Sequence, residues 1–345
     1  MKLVTYVLSD VHTYAANTTT RVDIPRNGYI THIDARLLCQ IQAGSSVVPP
    51  TSPSPDDTID DDLARLIHSF SIKGSGGKVY FDVSDGRQWF WLTWMKYQGQ
   101  VQASSLPSAS DTTGYQYMQF ACHWGLEPQN YLDRSIVLPA RDMANLTSEL
   151  TWGQASDIGT GYTVNSAVLT LNITELVLEE GELKEKAFPG GIMRPRYESR
   201  INTPGSTNSN ISLEENFPVG DTVYEVLIMQ LDNSFANRPL DNRISNRSAV
   251  TGTLTPSTVR EIAVKYPKLR EEPLRLDTDA LEMVMRSRYG LPVTPTGVYL
   301  IKMSDLTGKE AGLDLSLSQV GDAKLGFSID NANRDIHILF YAFSS

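Results

Sequence analysis

Apolar and polar side chains alternate along most of this chain with a period of two, the signature of strands with one wet face. Tyr29 to Gln42 is the longest example: Ile33, Ala35, Leu37, Cys39 and Ile41 share one face, and mostly polar residues fill the other. Ser166 to Leu178 repeats it, with Val168, Thr170 and Asn172 opposing Leu169, Leu171 and Ile173. Two stretches add a different pattern. From Leu63 to Gly99, an alternating strand (Leu66, His68, Phe70, Ile72) turns through Lys73-Gly-Ser-Gly-Gly into a second short strand. Trp91, Trp94 and Met95 then fall at i, i+3, i+4, the spacing of a helix face, and Gly99 supplies a stop. From Val259 to Gly290 the order recurs: Ile262, Val264 and Tyr266, a turn at Pro267-Lys-Leu-Arg, a short strand, then Leu281, Val284 and Met285 before Gly290. Ser84 and Thr278 are the expected helix caps, beside Asp85 and Asp279. The Trp-Phe-Trp-Leu run also suits a strand after an Asp85-Gly86 turn. The second copy, Asp279 to Arg288, has unambiguous helical spacing and decides for helix in both.

The flanks repeat as well. Pro25 and Pro218 lie 193 residues apart, and Asp85 and Asp279 lie 194 apart. Before each hairpin–helix come a polar-faced strand (Asn17 to Ile24; Ser209 to Asn216) and a long one (Tyr29 to Gln42; Thr222 to Leu231). Long loops follow, at Ser45 to Asp62 and Asp232 to Pro256. After each helix come four further segments: Tyr115 to Cys122, Ser135 to Leu138, Ala144 to Trp152 and Ser166 to Leu178 in the first half. Their counterparts are Val298 to Met303, Leu313 to Val320, Ala323 to Ile329 and Asp335 to Phe343. Glu179 to Arg200, with Pro189-Gly-Gly and Pro195, reads as a charged connector. The expected domains are 1–180 and 201–345, with a linker at 181–200. The expected fold is all-β: two tandem eight-stranded antiparallel jelly rolls, each with a short helix after its fourth strand.

With 345 residues, 41% hydrophobic and 20% charged, the chain is long enough for two folded domains. A net charge of −10 argues against a surface packed directly on nucleic acid. Arg194, Arg196 and Arg200 form the one basic patch, either a solvated linker or a face for an acidic neighbour or anionic lipid. Cys39 and Cys122 sit in apolar runs and read as two buried thiols rather than a disulfide. The N-terminus MKLVTYVLSDVH reads as a strand, not a leader peptide, and no segment is apolar for long enough to span a bilayer. The acids Asp56, Asp57, Asp60, Asp61 and Asp62 lack an EF-hand pattern and read as a solvated loop.

Candidate chemistry is sparse. The five histidines (His12, His32, His68, His123, His337) show neither HExxH nor the HxH of a cupin. Gly74-Ser-Gly-Gly77 lies in a hairpin turn, not before a helix, so it is no phosphate loop. No catalytic, cofactor-binding or metal residue is expected, and the chain does not read as an enzyme. All five tryptophans lie in the first half; Trp91 and Trp94, with Met95, mark a core or subunit-interface helix rather than a sugar platform. Leu281, Val284 and Met285 mark the second. Asn17, Asn145, Asn210 and Asn246 are candidate glycosylation acceptors, and Asn172, in an alternating strand, is the least convincing sequon.

Taken together, the strand Tyr29 to Gln42, the hairpin–helix Leu63 to Gly99 and their echoes at Thr222 to Leu231 and Val259 to Gly290 resemble the double jelly-roll major capsid proteins of tailless icosahedral DNA viruses, the adenovirus hexon lineage. In size the chain looks most like coat proteins of membrane-containing viruses of archaea and bacteria. The resemblance implies a homotrimer whose six jelly rolls form a pseudo-hexagonal capsomer within the virion shell. It also implies synthesis in the host cytoplasm and contacts with neighbouring capsomers, minor capsid, penton and membrane-associated viral proteins. An internal viral membrane would separate shell from genome, so no direct nucleic-acid binding is implied. The alternative is a carbohydrate-binding or carbohydrate-degrading protein made of two sandwiches.

Overall fold

The structure is a computed structural model describing residues 1–48, 61–108, 114–126, 136–188, 191–218, 220–231, 259–291, 297–307, 312–316, 320–329 and 335–344. Two compact units emerge, one built essentially from residues up to Glu198 and the other from Ser199 to Ala342.

The first unit contains β1 (Lys2–Val7), β2 (His12–Thr13), β3 (Thr19–Asp23), β4 (Tyr29–Val48), β5 (Ile67–Gly74), β6 (Val79–Val83), α1 (Gly86–Lys96), β7 (Gly114–His123), β8 (Leu146–Trp152) and β9 (Thr160–Val177). After a helical turn, α2 (Lys184–Ala187), come β10 (Arg194–Asn202), β11 (Asn208–Asn216), β12 (Thr222–Leu231), β13 (Val259–Tyr266), β14 (Glu271–Asp277) and α3 (Thr278–Tyr289). The chain continues with β15 (Val298–Lys302), α4 (Ser304–Thr307), β16 (Leu313–Asp314), β17 (Lys324–Ile329) and β18 (Asp335–Ser344). The sheets run β1-β9-β4-β7 and β3-β8-β5-β6 in the first half, and β10-β18-β12-β15 and β11-β17-β13-β14 in the second. Setting aside the two-residue strands β2 and β16 and counting along each half, both halves have the same wiring: 1-8-3-6 in one sheet and 2-7-4-5 in the other. Each half is an antiparallel jelly roll.

The repeat keeps one spacing at four elements of its first part, while β3 and β11 start 189 apart and β4 and β12 193 apart. β1 and β10, β5 and β13, β6 and β14, and α1 and α3 each start 192 residues apart. One strand count is corrected. In each half the helix follows the fifth of eight strands, not the fourth; in the second half the added strand is Arg194–Asn202, which opens that sandwich. Within the stretch that reads as a charged connector, Pro195 and Tyr197 are buried and alternate with polar neighbours. Phe188 also packs on Tyr29, ring centroids 4.6 Å apart, in a small cluster with Val137 and Leu176. Two of the three arginines of this stretch are partnered, Arg196 with Glu198 and Arg200 with Glu215 at 2.8 Å, while Arg194 is exposed. Among the described residues of Leu313 to Val320, Leu313–Asp314 is strand.

The first core forms between the inner faces of its two sheets. Ile33, Leu37, Cys39 and Ile41 of β4 are fully buried, as are Leu169 and Ile173 of β9, Phe70 and Ile72 of β5, and Phe81 of β6. Trp89 of α1 fills one end. Its ring stacks on Phe70 at 4.2 Å and lies 5.6 Å from Phe81, both in one sheet, and 4.7 Å from Phe120 in the other. Its indole N–H donates to the Ala121 carbonyl at 3.0 Å, so the polar edge of the ring is satisfied where it is buried.

Replacing Trp89 with Ala is expected to destabilise the first unit by about 3–5 kcal/mol. The remaining four tryptophans all lie in that unit, so the urea midpoint of their fluorescence reads it directly. An unchanged midpoint would contradict the bridging role.

Candidate functional site

α1 is the structural feature that both sequence patterns point to, and its ends explain its position. The N-cap is Asp85, not Ser84; its carboxylate accepts from the Arg87 backbone N–H at 2.8 Å. The cap of α3 is Asp277, not Thr278, accepting from the Ala280 N–H at 2.7 Å. In each case the carboxylate one residue before the helix wins over a hydroxyl. Gly86 allows the helix start to close on the 3-10 turn Asp62–Leu66, since a Cβ there would lie 2.2 Å from the Ala64 carbonyl oxygen. At the far end Gly99 N–H donates to Trp94 O and Gln98 N–H to Met95 O, a Schellman closure in which Gln98, φ +52°, takes the left-handed position.

Every residue from Gly86 to Met95 is buried, so α1 is not an amphipathic surface helix. Trp91, Trp94 and Met95 are 3–4% exposed, and Trp124 and Trp152 fully buried; none of the five indoles offers a sugar platform. In α3, Leu281 and Met285 are buried and Val284 is half-buried, while Met283 is exposed.

Beside the start of α1 lies a buried charged cluster. Asp61 and Asp62, expected to be solvated, are buried and lie 3.4 Å and 3.3 Å from the fully buried Arg65. The missed signal was Arg65 itself, three and four residues on, where one helical turn brings it back to both acids. Trp91 donates its indole N–H to Asp61 at 3.0 Å, and Arg87 grips Asp85 through Nη2 at 2.6 Å. Burial pushes the Arg65 guanidinium down, opposed chiefly by Asp61. Asp56, Asp57 and Asp60 lie outside the described residues.

A second polar group sits where β4 meets β7. His32 and His123 face each other with their Nδ1 atoms 3.0 Å apart, and His32 Nε2 lies 2.6 Å from Asp34 Oδ1. A carboxylate accepts only, so His32 donates from Nε2; with His32 neutral, His123 donates across the pair. His12, also buried, bonds Thr20 Oγ1 at 2.8 Å and Ser148 Oγ at 2.9 Å, and burial lowers its pKa to about 4. Cys39 and Cys122 are free and buried; burial pushes the Cys39 thiol up to about 12. Among the described residues no three metal-ligating side chains cluster, and no helix is long and apolar enough to cross a membrane. The sequons Asn17, Asn145 and Asn210 are exposed, Asn172 is half-buried in β9, and Asn246 lies outside the described residues.

The outer sheet faces differ in kind. On the 2-7-4-5 sheets an acid is held between two bases in both halves: Glu149 between Arg21 and Lys73, and Glu214 between Lys265 at 2.9 Å and Lys324 at 2.7 Å. These faces are wet. On the first 1-8-3-6 sheet, Leu38 and Tyr117 are paired across β4 and β7 and both are exposed, as is Tyr115. Next to them a cleft of about 510 Å³ opens between this face and the end of α1, lined by Asp34, Arg36, Tyr97, Gln119 and Thr170 among others.

Neither a family model nor a curated protein matches the chain by sequence. Solved structures match it from end to end. The crystal structure of the major capsid protein of Sulfolobus turreted icosahedral virus superposes with a TM-score of 0.75 at 16% identity, covering 99% of this chain and 97% of that one. The fold is the double jelly roll of viral major capsid proteins. The capsid protein P2 of bacteriophage PM2 has this double jelly roll at TM-score 0.56 and 12% identity, covering 100% and 98%. The PBCV-1 capsid model gives 0.59 and 11%, covering 99% and 93%.

Two predictions follow from the buried polar groups of this double jelly roll. Arg65→Met leaves Asp61 and Asp62 buried without their cation and is expected to cost about 3–5 kcal/mol, measured by chemical denaturation. For His12, the folded state binds fewer protons than the unfolded chain between pH 6.5 and about 4. Stability is therefore full above pH 6.5 and drains as pH falls through that window, by on the order of 3 kcal/mol. A His12→Gln variant should show a flatter stability curve over the same window; equal slopes would sink the assignment.

Proposed function

We propose that this chain is the major capsid protein of an icosahedral DNA virus. It assembles as a homotrimer of six jelly rolls into pseudo-hexagonal capsomers. The observation that carries this is the match of both sandwiches together, over 99% of this chain and 97% of the turreted-virus protein. A single jelly roll serves many functions, whereas two wired alike in one chain, each with a helix after its fifth strand, is a far narrower arrangement. Its work is self-assembly by surface complementarity, without an active site. Neighbouring capsomers are the main partners, with minor capsid, penton and membrane-associated proteins at the shell's inner side and vertices, and an internal membrane between shell and genome. It is made in the host cytoplasm and ends in the virion. In a host that glycosylates, Asn17, Asn145 and Asn210 are the acceptors with exposed side chains.

The alternative, a two-sandwich carbohydrate-binding or carbohydrate-degrading protein, draws no support from the matched structures or from the buried tryptophans. Light scattering separates the two. The coat protein is expected at three times the 38.2 kDa chain mass, with a three-fold, hexagonally outlined particle in negative stain. A monomer at micromolar concentration that binds glycans would overturn the coat function.

A further inference from the structure

The duplication provides an internal comparison of one sheet face in two surroundings. In the second unit the central strands of the 1-8-3-6 sheet are buried on both faces. Every residue from Val223 to Gln230 in β12 and from Ile336 to Phe343 in β18 is buried. The sequence says the same: VYEVLIMQ and IHILFYAF are nearly continuous apolar runs, the pattern of strands covered on both sides. In the first unit the equivalent strand β4 alternates buried and exposed, and its outward residues include Arg36 and Leu38. That outer face is open.

Its composition is unlike a solvated face. Tyr117, 39% exposed, and Leu38, 38%, lie side by side, with Tyr115, 71%, two residues along β7. Val7 of β1, 63% exposed, adjoins the cleft at the other end. Arg36, in the row between Gln119 and Thr170, makes no ion pair among the described residues and lines the cleft. The opposite sheet of the same sandwich is covered by the Arg21–Glu149–Lys73 ladder instead.

We infer that the outer face of β1-β9-β4-β7 is the surface on which a second copy of this chain docks, burying Leu38, Tyr115 and Tyr117 and setting a carboxylate against Arg36. This rests on the coat-protein function proposed above. Arg36 calls for one carboxylate on the docking partner, which a chain with 40 acidic residues can supply. The size also fits. The ten paired rows of β4 and β7, at about 3.3 Å per residue and about 4.8 Å between four strands, span roughly 500 Å² of sheet. Side-chain relief brings that near the ~800 Å² per partner of a stable interface. An exposed Tyr–Tyr–Leu group with an arginine beside it matches the anchors that dominate such interfaces.

The test uses the full chain. Wild type is expected as a trimer by light scattering. Leu38→Asp with Tyr117→Asp, and separately Arg36→Glu, should raise the concentration for half-assembly at least tenfold, with circular dichroism unchanged and melting unchanged when variant and wild type are compared as dilute monomers. Met283→Asp, at an exposed apolar position on α3, should leave it unmoved. As a probe that needs no destabilising charge, Tyr115→Cys should react with maleimide at least tenfold more slowly in the trimer than in dilute monomer, Cys39 and Cys122 being buried. Folded face variants that remain trimeric, or equal labelling in both states, overturn this docking face and leave the coat function standing. A monomeric wild type overturns both.

Discussion

One ring holds the first sandwich shut. A jelly roll is two sheets whose inner faces attract without direction, and hydrophobic contact alone does not fix how they meet at an open end. Trp89 fixes it by touching Phe70 and Phe81 on one side and Phe120 on the other, while its N–H spends itself on the Ala121 carbonyl. The helix exists to deliver that ring. Its start is pinned by Asp85 and the absence of a side chain at Gly86, and its end by the closure at Gln98 and Gly99. The buried Asp61–Asp62–Arg65 group beneath it contributes placement more than stability, since desolvating such charges offsets most of their attraction.

Much of this was legible in the residues. Alternation marked the long strands, and the recurrence of hairpin and helix marked the duplication, because both are set by local periodicity. The places where the residues misled share a cause: a polar or charged side chain was assigned to water when the fold had a partner for it. Asp61 and Asp62 look solvated until Arg65 is placed one turn away. Arg196 and Arg200 look like linker until Glu198 and Glu215 are placed beside them. Edge strands such as β10 are also the hardest to read, since only alternate positions such as Pro195 and Tyr197 carry the apolar signal. The histidine pair was invisible for a different reason. His32 and His123 are 91 residues apart, and only the β4–β7 register brings them face to face.

The two halves share a wiring diagram but not a surface. Duplication kept a spacing of 192 residues at β1, β5, β6 and α1, with β3 and β4 off by three residues and one, then let the later strands drift: β7 and β15 start 184 apart, β8 and β17 178 apart. Composition drifted further. The first helix became a buried aromatic plug, while the second kept an exposed side carrying Met283, Arg286 and Arg288. The constraint common to both is the charge ladder on the 2-7-4-5 sheet, which keeps a broad flat face from pairing with the wrong neighbour.

The strand order has a kinetic side. In each half the last strand to leave the ribosome, β9 or β18, does not add to an edge; it inserts between the first strand and the third. Until it arrives, β1 has no hydrogen-bonded neighbour and the sheet is torn down its middle, with contacts more than 160 residues apart still to be closed. For β12 and β18, apolar on both sides, that waiting period is the most aggregation-prone stage of the chain's life. Loss of only the last strand would therefore open the centre of the second sandwich rather than trim its rim.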